Sequence, residues 1–131
     1  MNRLLFITEH FSPALGGIAA SANRIVAALC ALSIEVDVIA WTRALQPGVV
    51  ESTGENPRVF RVGRYREWDN TFPHTMNLCA WLYAAAPYDR IWGHYLNGGD
   101  QGIRAIHRTA LASKVRSPAV AGRTVPERHR R

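Results

Sequence analysis

Hydrophobic positions near the start of the chain change their spacing across a short glycine-containing segment. Residues 4–7 form an apolar run, which is typical of a strand buried on both faces of a parallel sheet. From residue 18 to 32 the apolar side chains recur at steps of three and four, which predicts one face of a helix. That stripe consists of Ile18, Ala22, Ile25, Val26, Leu29 and Leu32. Strand, loop and helix in this order predict the first half of a βαβ unit.

The same reasoning predicts further elements along the chain. Three more strands are expected at residues 35–41, 58–62 and 88–95, and two more helices at residues 73–86 and 101–112. Pro73 suits a first helical turn, with Thr71 as its cap. Residues 42–57 show no periodicity and are expected to form a surface loop, and residues 63–71 a second, polar one. Together these elements predict an α/β, Rossmann-like, mainly parallel sheet of four to five strands with helices on both faces.

Charge separates the body of the chain from its end. Residues 1–103 carry 8 arginines against 9 carboxylates, whereas residues 104–131 carry 7 arginines and 1 lysine against a single glutamate. A strand pattern begins at Ser117 but gives way to arginine-rich sequence without periodicity. We therefore expect a Rossmann-like domain over residues 1–112 and an irregular basic tail over residues 113–131. Such a tail could bind nucleic acid or an anionic membrane surface, or be no part of a fold.

The chemistry-bearing feature of the first loop is the pair Gly16-Gly17. Glycines let the backbone approach a ligand closely, and the helix N-terminus that follows favours an anion such as a phosphate. The spacing matches neither the dinucleotide fingerprint nor the Walker loop. From the residues alone, a tight turn and a phosphate or sugar site are equally acceptable explanations. Cys30 and Cys79 lie in apolar helical patterns without metal or redox spacing, and we expect both to be core thiols in a reducing compartment.

Residues 5–22 resemble the opening of glycosyltransferase family four enzymes, which have the GT-B fold. The resemblance rests on a buried strand, the segment Thr8-Glu9-His10-Phe11-Ser12-Pro13, the Gly16-Gly17 pair and the helix behind it. It extends through the strand at residues 35–41 and the segment from Tyr88 to Tyr95, so that it covers roughly residues 2–112. The resemblance implies half of a GT-B architecture, namely the N-terminal, acceptor-side domain.

The resemblance also implies which residues bind substrate. Gly16 and Gly17 would lie against the donor phosphates or the acceptor, and His94, at the end of the fourth strand, would line the cleft. His10 is a weaker candidate in the first loop. Without the resemblance, His94 is as well explained by a structural hydrogen bond as by a ligand contact. Arg64 and Arg66, beside Trp68, could hold an anionic or sugar ligand, although a solvated loop is the simpler explanation. No catalytic residue and no metal site is predicted.

The function implied is half of an enzyme that transfers a sugar from a nucleotide-sugar donor to an acceptor. No sequence matches the donor-binding domain of that family, so we expect a truncated or frame-shifted fragment, or half of a split enzyme, inactive alone. The donor would be a substrate, and no cofactor is expected. One alternative is a stand-alone Rossmann-like module that binds a nucleotide or small ligand. Another is a protein that binds nucleic acid or a membrane surface through its basic tail. We expect a cytoplasmic chain, with peripheral membrane contact left open and no nucleic acid as partner.

Overall fold

The computed structural model describes residues 2–14 and 16–94. It contains five strands and two helices. The strands are β1 (Arg3–Thr8), β2 (Glu35–Thr42), β3 (Val50–Thr53), β4 (Arg58–Gly63) and β5 (Arg90–His94), and the helices are α1 (Gly17–Ala31) and α2 (Trp68–Ala85).

The strands form one sheet in the order β3-β4-β2-β1-β5. The pairs β1–β2, β1–β5 and β2–β4 are parallel, and only β3 runs antiparallel, along β4. The carboxyl ends of β1, β2, β4 and β5 therefore lie at one edge of the sheet, called the carboxyl edge below. In doubly wound sheets, ligands bind outside this edge.

Alternating side chains of the strands build two hydrophobic layers, one on each face. On one face, Leu5, Ile7 and their neighbours on β2 and β4 pack against Cys79 and Leu82 of α2. On the other face, Phe6 and the alternate residues of its neighbours pack against Ala22 and Val26 of α1. Burial on both sides explains why the strand runs are apolar without alternation. The predicted α/β, Rossmann-like fold with helices on both faces is confirmed.

The second helix begins earlier than predicted. It starts at Trp68, and Pro73 lies inside it instead of in its first turn. Thr71 is not the cap, because its Oγ1 accepts a hydrogen bond from the N–H of Tyr65 at 2.8 Å. Glu67 holds the cap position without a capping hydrogen bond from its side chain, and Asp69 lies in the first turn, where its charge favours the helix dipole. The proline misled the prediction because prolines favour first turns.

Residues 42–57 are not entirely loop, because they contain β3. Every residue of β3 is exposed, so no hydrophobic alternation marks it. It is held through its backbone, by antiparallel pairing from Val50 opposite Val62 to Thr53 opposite Val59. Leu32 is a second correction. It stands just past the end of α1 and is 72% exposed, so it is not part of the buried helical face.

Several predictions concern residues outside the described ranges. These are Tyr95, the loop around Gly98-Gly99, the helix at residues 101–112, the strand pattern from Ser117 and the basic tail at residues 113–131. Within residues 2–14 and 16–94, no helix is long and apolar enough to span a membrane.

Candidate functional site

The loop from β1 to α1 is anchored to the sheet at several points. Phe11 is 8% exposed and packs into the α1-side core. The N–H of Ala14 donates to the carbonyl of Phe11 at 2.8 Å, which closes a turn. The guanidinium of Arg61, on β4, donates to the carbonyl of Ser12. These contacts place the loop over the carboxyl edge and bring the start of α1 there.

Gly16 and Gly17 form the start of α1 and leave its first turn open. Gly16 is the N-cap residue, and its φ of +111° is a conformation that other residues rarely adopt. Within residues 2–14 and 16–94, no side chain caps the helix, and its first turn contains no acidic residue. A Cβ added at Gly17 would meet none of the described atoms within 4 Å. Glycine at position 17 is thus required neither by packing against the described residues nor by a positive φ. The N–H groups of the first turn favour an anion.

His94 lies beside this helix start. It pairs with Thr8 across β5 and β1, which places both residues at the carboxyl edge. The imidazole is 5.3 Å from the ring of Phe6 between centroids, and it forms a hydrogen bond with the backbone of Ile18, next to Gly17. Burial lowers the pKa of His94, and the hydrogen bond with Ile18 only partly opposes this effect. Because its ordinary value is already below 7, the imidazole is neutral at pH 7.

His10 lies in a separate cleft. Its Nε2 is 3.9 Å from Oε1 of Glu9, and its side chain is 41% exposed. The cleft has a volume of about 200 Å³. It is lined by Glu9, His10, Ala14, Trp41, Thr42, Arg43 and Arg64. The structure therefore brings His94 to the helix that begins after Gly16, but assigns His10 to a cleft whose lining includes none of the other three predicted residues.

An arginine at the end of β2 escaped the sequence analysis. Arg43 follows β2 directly and lines two clefts together with Arg64, which follows β4. The pairing of Thr42 with Gly63 explains this proximity, because it is the last pair of the parallel β2–β4 ladder. The signal was present in the sequence, since Arg43 and Arg64 each come two residues after the end of a predicted strand. What was missing was the knowledge that the two strands are neighbours.

A cavity at the opposite edge of the sheet is a different kind of site. It has a volume of about 360 Å³ and contains Arg3, Asp37 and Arg58. Arg58 donates two hydrogen bonds to Asp37, at 3.2 and 2.8 Å, and Tyr88 Oη donates a third at 2.5 Å. Burial opposes the charge of Arg58, but its hydrogen bonds and charge interactions with Asp37 and Tyr88 together outweigh this effect and raise the pKa of Arg58. The hydrogen bonds of Arg58 and Tyr88 to Asp37 lie within the cluster, so we interpret it as stabilising the fold.

Metal ligands do not cluster in the described part of the chain. Within residues 2–14 and 16–94, no three His, Cys, Asp or Glu side chains are arranged to hold a metal ion. The groups at the carboxyl edge are instead uncapped amides, a neutral imidazole and guanidinium groups. Such groups can hold an anion and hydrogen-bond to the hydroxyl groups of a sugar.

Comparison with protein families decides the relationship of this chain. Residues 16–125 match the family described as glycosyl transferase 4-like domain. The chain belongs to this family. The match covers α1 through β5 and so includes Gly16, Gly17 and His94. The resemblance to an N-terminal, family-four-like glycosyltransferase domain is thereby confirmed. Comparison with curated proteins and with solved structures found no match.

Membership in the glycosyl transferase 4-like family sets the general class of chemistry. The substrates of such a domain are, in general terms, a sugar donor and an acceptor. At the carboxyl edge of its Rossmann-like sheet lie the start of α1 and the arginines that follow β2 and β4.

Proposed function

We propose that this chain supplies the acceptor-side wall of a GT-B cleft in which a sugar passes from a nucleotide-sugar donor to an acceptor. The contact of His94 with the first turn of α1 carries the proposal. It places a neutral imidazole beside the N-terminal turn of α1, at the carboxyl edge of a glycosyl transferase 4-like domain. The donor diphosphate would lie against Gly16 and Gly17, and His94 would hydrogen-bond to a hydroxyl group of the sugar.

His10 has a different position in this proposal. It lines the neighbouring cleft with Glu9 and Arg43, towards β2 and β4. We assign that cleft to the acceptor, because the side of the sheet nearer β5 is taken by the donor phosphates. His10, which is partly exposed, would then meet the acceptor as it enters.

We further propose that the 131 residues transfer no sugar on their own. Stabilising the charge of a leaving diphosphate requires donors already oriented around it. Residues 2–14 and 16–94 form a single Rossmann-like sheet, which provides one wall for such a group. Incubation of the purified chain with radiolabelled nucleotide sugars should therefore give no transfer to acceptor or to water beyond a boiled sample. Transfer above that background would overturn this part of the proposal.

The donor site itself is tested by an NMR titration of the full chain with UDP-glucose and GDP-mannose. We expect the backbone amide chemical shifts of four residues to change, namely Gly16, Gly17, Ile18 and His94. Gly17→Ala should weaken binding about tenfold, because a methyl group would occupy space left to the phosphate. The fold should survive, since that methyl group meets no described atom within 4 Å.

The matched control is Ala27→Ser, which also adds one heavy atom to an exposed position of α1, but near its far end. It should leave the affinity for the nucleotide sugar unchanged. Shifts confined to the cavity of Arg3 and Arg58 at the opposite edge would refute the assignment. Equal weakening by Gly17→Ala and Ala27→Ser would do the same.

A further inference from the structure

Three arginines converge beside the acceptor side of the carboxyl edge. A cleft of about 410 Å³ lies between the segments that follow β2 and β4. It is lined by Arg43, Leu45, Pro47, Arg64, Tyr65 and Arg66. We call it the arginine cleft. Its position follows from the β2–β4 ladder, which the N–H of Arg64 continues by donating to the carbonyl of Thr42 at 2.8 Å.

The charges of the arginine cleft are not balanced within it. Among the described residues that line it, none is a carboxylate. Among the described residues, salt bridges formed by arginines involve only Arg3 and Arg58, at the opposite edge of the sheet. The cleft of His10, which shares Arg43 and Arg64, has one carboxylate among its described lining residues, Glu9, whose Oε1 is 3.9 Å from Nε2 of His10. Guanidinium groups gathered in this way attract a phosphate or carboxylate, which they can bind through two parallel hydrogen bonds.

The walls of the arginine cleft are held in place before any ligand arrives. The guanidinium of Arg64 lies over the ring of Trp41, at 5.6 Å from its centroid. Trp41 is 5% exposed, and its Nε1 donates to Thr75 Oγ1 of α2 at 2.9 Å. The N–H of Tyr65 donates to Thr71 Oγ1 at 2.8 Å. Because these contacts order the cleft in advance, binding an anion costs less conformational entropy than binding to free surface arginines.

The loop between β2 and β3 closes the cleft from the other side. The N–H of Gly48 donates to the carbonyl of Gly63 at 2.9 Å, and the N–H of Gly63 donates to the carbonyl of Val49 at 2.8 Å. A Cβ at Gly63 would lie 1.8 Å from the carbonyl oxygen of Gln46. Only glycine lets the loop approach β4 this closely, and the same loop contributes Leu45 and Pro47 to the lining of the cleft.

We infer that the acceptor carries an anionic group, a phosphate or a carboxylate, which Arg43, Arg64 and Arg66 bind in the arginine cleft. This inference rests on the proposed function, because it takes the cleft of His10, which shares Arg43 and Arg64, as the acceptor side. The anionic group would anchor the acceptor at a distance from the transferred sugar. Acceptors of the same shape without that charge would bind more weakly.

The test is an NMR titration of the full chain with glucose 6-phosphate, glucuronate and glucose in low salt. We expect the backbone amide signals of residues 43–46, 48 and 64–66 to shift with one or both charged sugars, and not with glucose. A response to glucose 6-phosphate alone would identify a phosphate, and a response to glucuronate alone a carboxylate. Raising the salt from about 50 to 200 mM should weaken the binding, as expected for a site of paired charges.

Variants of exposed arginines connect these shifts to the cleft. Arg43→Gln and Arg66→Gln should each weaken binding of the charged sugar about tenfold. Arg24→Gln removes the same charge from an exposed position on α1 and should leave the affinity unchanged. Both cleft arginines are exposed, so neither variant should disturb the fold, and unchanged dispersion of the amide spectrum checks this.

Failure of this inference can be told apart from failure of the proposed function. If glucose shifts the same amides as glucose 6-phosphate, or if Arg24→Gln weakens binding as much as Arg43→Gln, the inference is wrong. It is also wrong if UDP-glucose occupies the arginine cleft and glucose 6-phosphate does not. Shifts at Gly16 and Gly17 with UDP-glucose would leave the donor site standing in the first two cases. If UDP-glucose shifts neither Gly16 nor Gly17 while glucose 6-phosphate shifts the amides of the arginine cleft, only the donor assignment is wrong.

Discussion

Ser33 occupies a backbone conformation that glycine usually provides. Its φ is +66°, and it follows the last residues of α1. The N–H of Ser33 donates to the carbonyl of Cys30 at 2.9 Å, and the N–H of Ile34 donates to that of Leu29 at 3.2 Å. This pair of bonds is the Schellman motif, which ends a helix through one left-handed residue. The helix thus ends as a glycine-terminated one does, with the steric cost of a Cβ in the left-handed region.

Replacement of Ser33 by glycine should therefore stabilise the chain. Relief of the left-handed strain is worth about 1–2 kcal/mol, and the greater freedom of glycine in the unfolded chain offsets roughly 0.4–1 kcal/mol of it. We expect Ser33→Gly to raise the free energy of unfolding by about 0.5 kcal/mol, measured by urea denaturation. Ala31→Gly, at an exposed position in the last turn, is the control and should lower that free energy by about 1 kcal/mol. A loss of stability in Ser33→Gly would contradict this account of the helix end.

At the scale of the elements, Asp37 links its own strand to both neighbouring strands and to the segment that leads into β5. It stands on β2 and is 6% exposed. It binds Arg58 of β4 and Tyr88, just before β5, and its Oδ2 is 3.6 Å from Nη2 of Arg3 on β1. Burial, followed by the charge of Asp37 and the hydrogen bond to it, raises the pKa of Tyr88, so the hydroxyl stays protonated and donates. One carboxylate thus links the amino ends of β1, β2 and β4 with the residue that leads into β5.

Removing this carboxylate should be costly. Asp37→Ala leaves Arg58 partly buried without its partner, and loss of one member of a buried pair costs about 3–5 kcal/mol. Glu35→Ala is the matched control on the same strand. Glu35 pairs with Arg3 at 2.9 Å, but its side chain is 50% exposed, so the loss should stay below about 1 kcal/mol. Urea denaturation compares the two variants.

A milder variant keeps this prediction testable if Asp37→Ala does not fold. Tyr88→Phe removes the hydroxyl that donates to Asp37 and keeps the ring, so it should cost about 1.5–3 kcal/mol, as for a hydrogen bond to a charged group. Losses in Asp37→Ala or Tyr88→Phe no larger than in Glu35→Ala would show that the cluster does not link the strands.

At the scale of the whole molecule, the two cysteines differ in how deeply they are buried. Cys79 is 0% exposed in the α2-side core, whereas Cys30 is partly buried beside the α1-side core. Burial raises the pKa of the Cys79 thiol to about 12 and also raises that of Cys30. Because the thiolate is the reactive form, both burial and protonation protect Cys79. Its modification should therefore require opening of the fold.

Alkylation kinetics test this expectation. Iodoacetamide at about pH 8 should modify Cys30 in the native chain and leave Cys79 unmodified, as read by mass spectrometry of peptides. In concentrated urea the two cysteines should react at similar rates. The variant Cys30→Ser leaves Cys79 alone, and its rate of labelling should follow the fraction unfolded as urea rises. Modification of Cys79 in the native chain as fast as Cys30 would mean that the α2-side core opens locally.

The sequence by itself determined the order of the described elements other than β3, and it indicated helices on both faces of the sheet. Four of the five strands and both described helices were predicted near their observed positions, because hydrophobic periodicity is a local property. Residues 4–7 are continuously apolar because both faces of β1 are covered, and this run indicated a parallel sheet. The position of Gly16 and Gly17 at the start of a helix, and of His94 at the end of a strand, followed from the same pattern.

Only the tertiary structure decided what depends on neighbours distant in sequence. The pairing of β3 relies on backbone hydrogen bonds, which leave no mark on an exposed strand. The meeting of Arg43 with Arg64 depends on the adjacency of β2 and β4, and that of His94 with Ile18 depends on the packing of α1 over the end of β5. Sequence periodicity shows which way a side chain faces, whereas contacts across a sheet depend on strand order, which the chain acquires only when it folds.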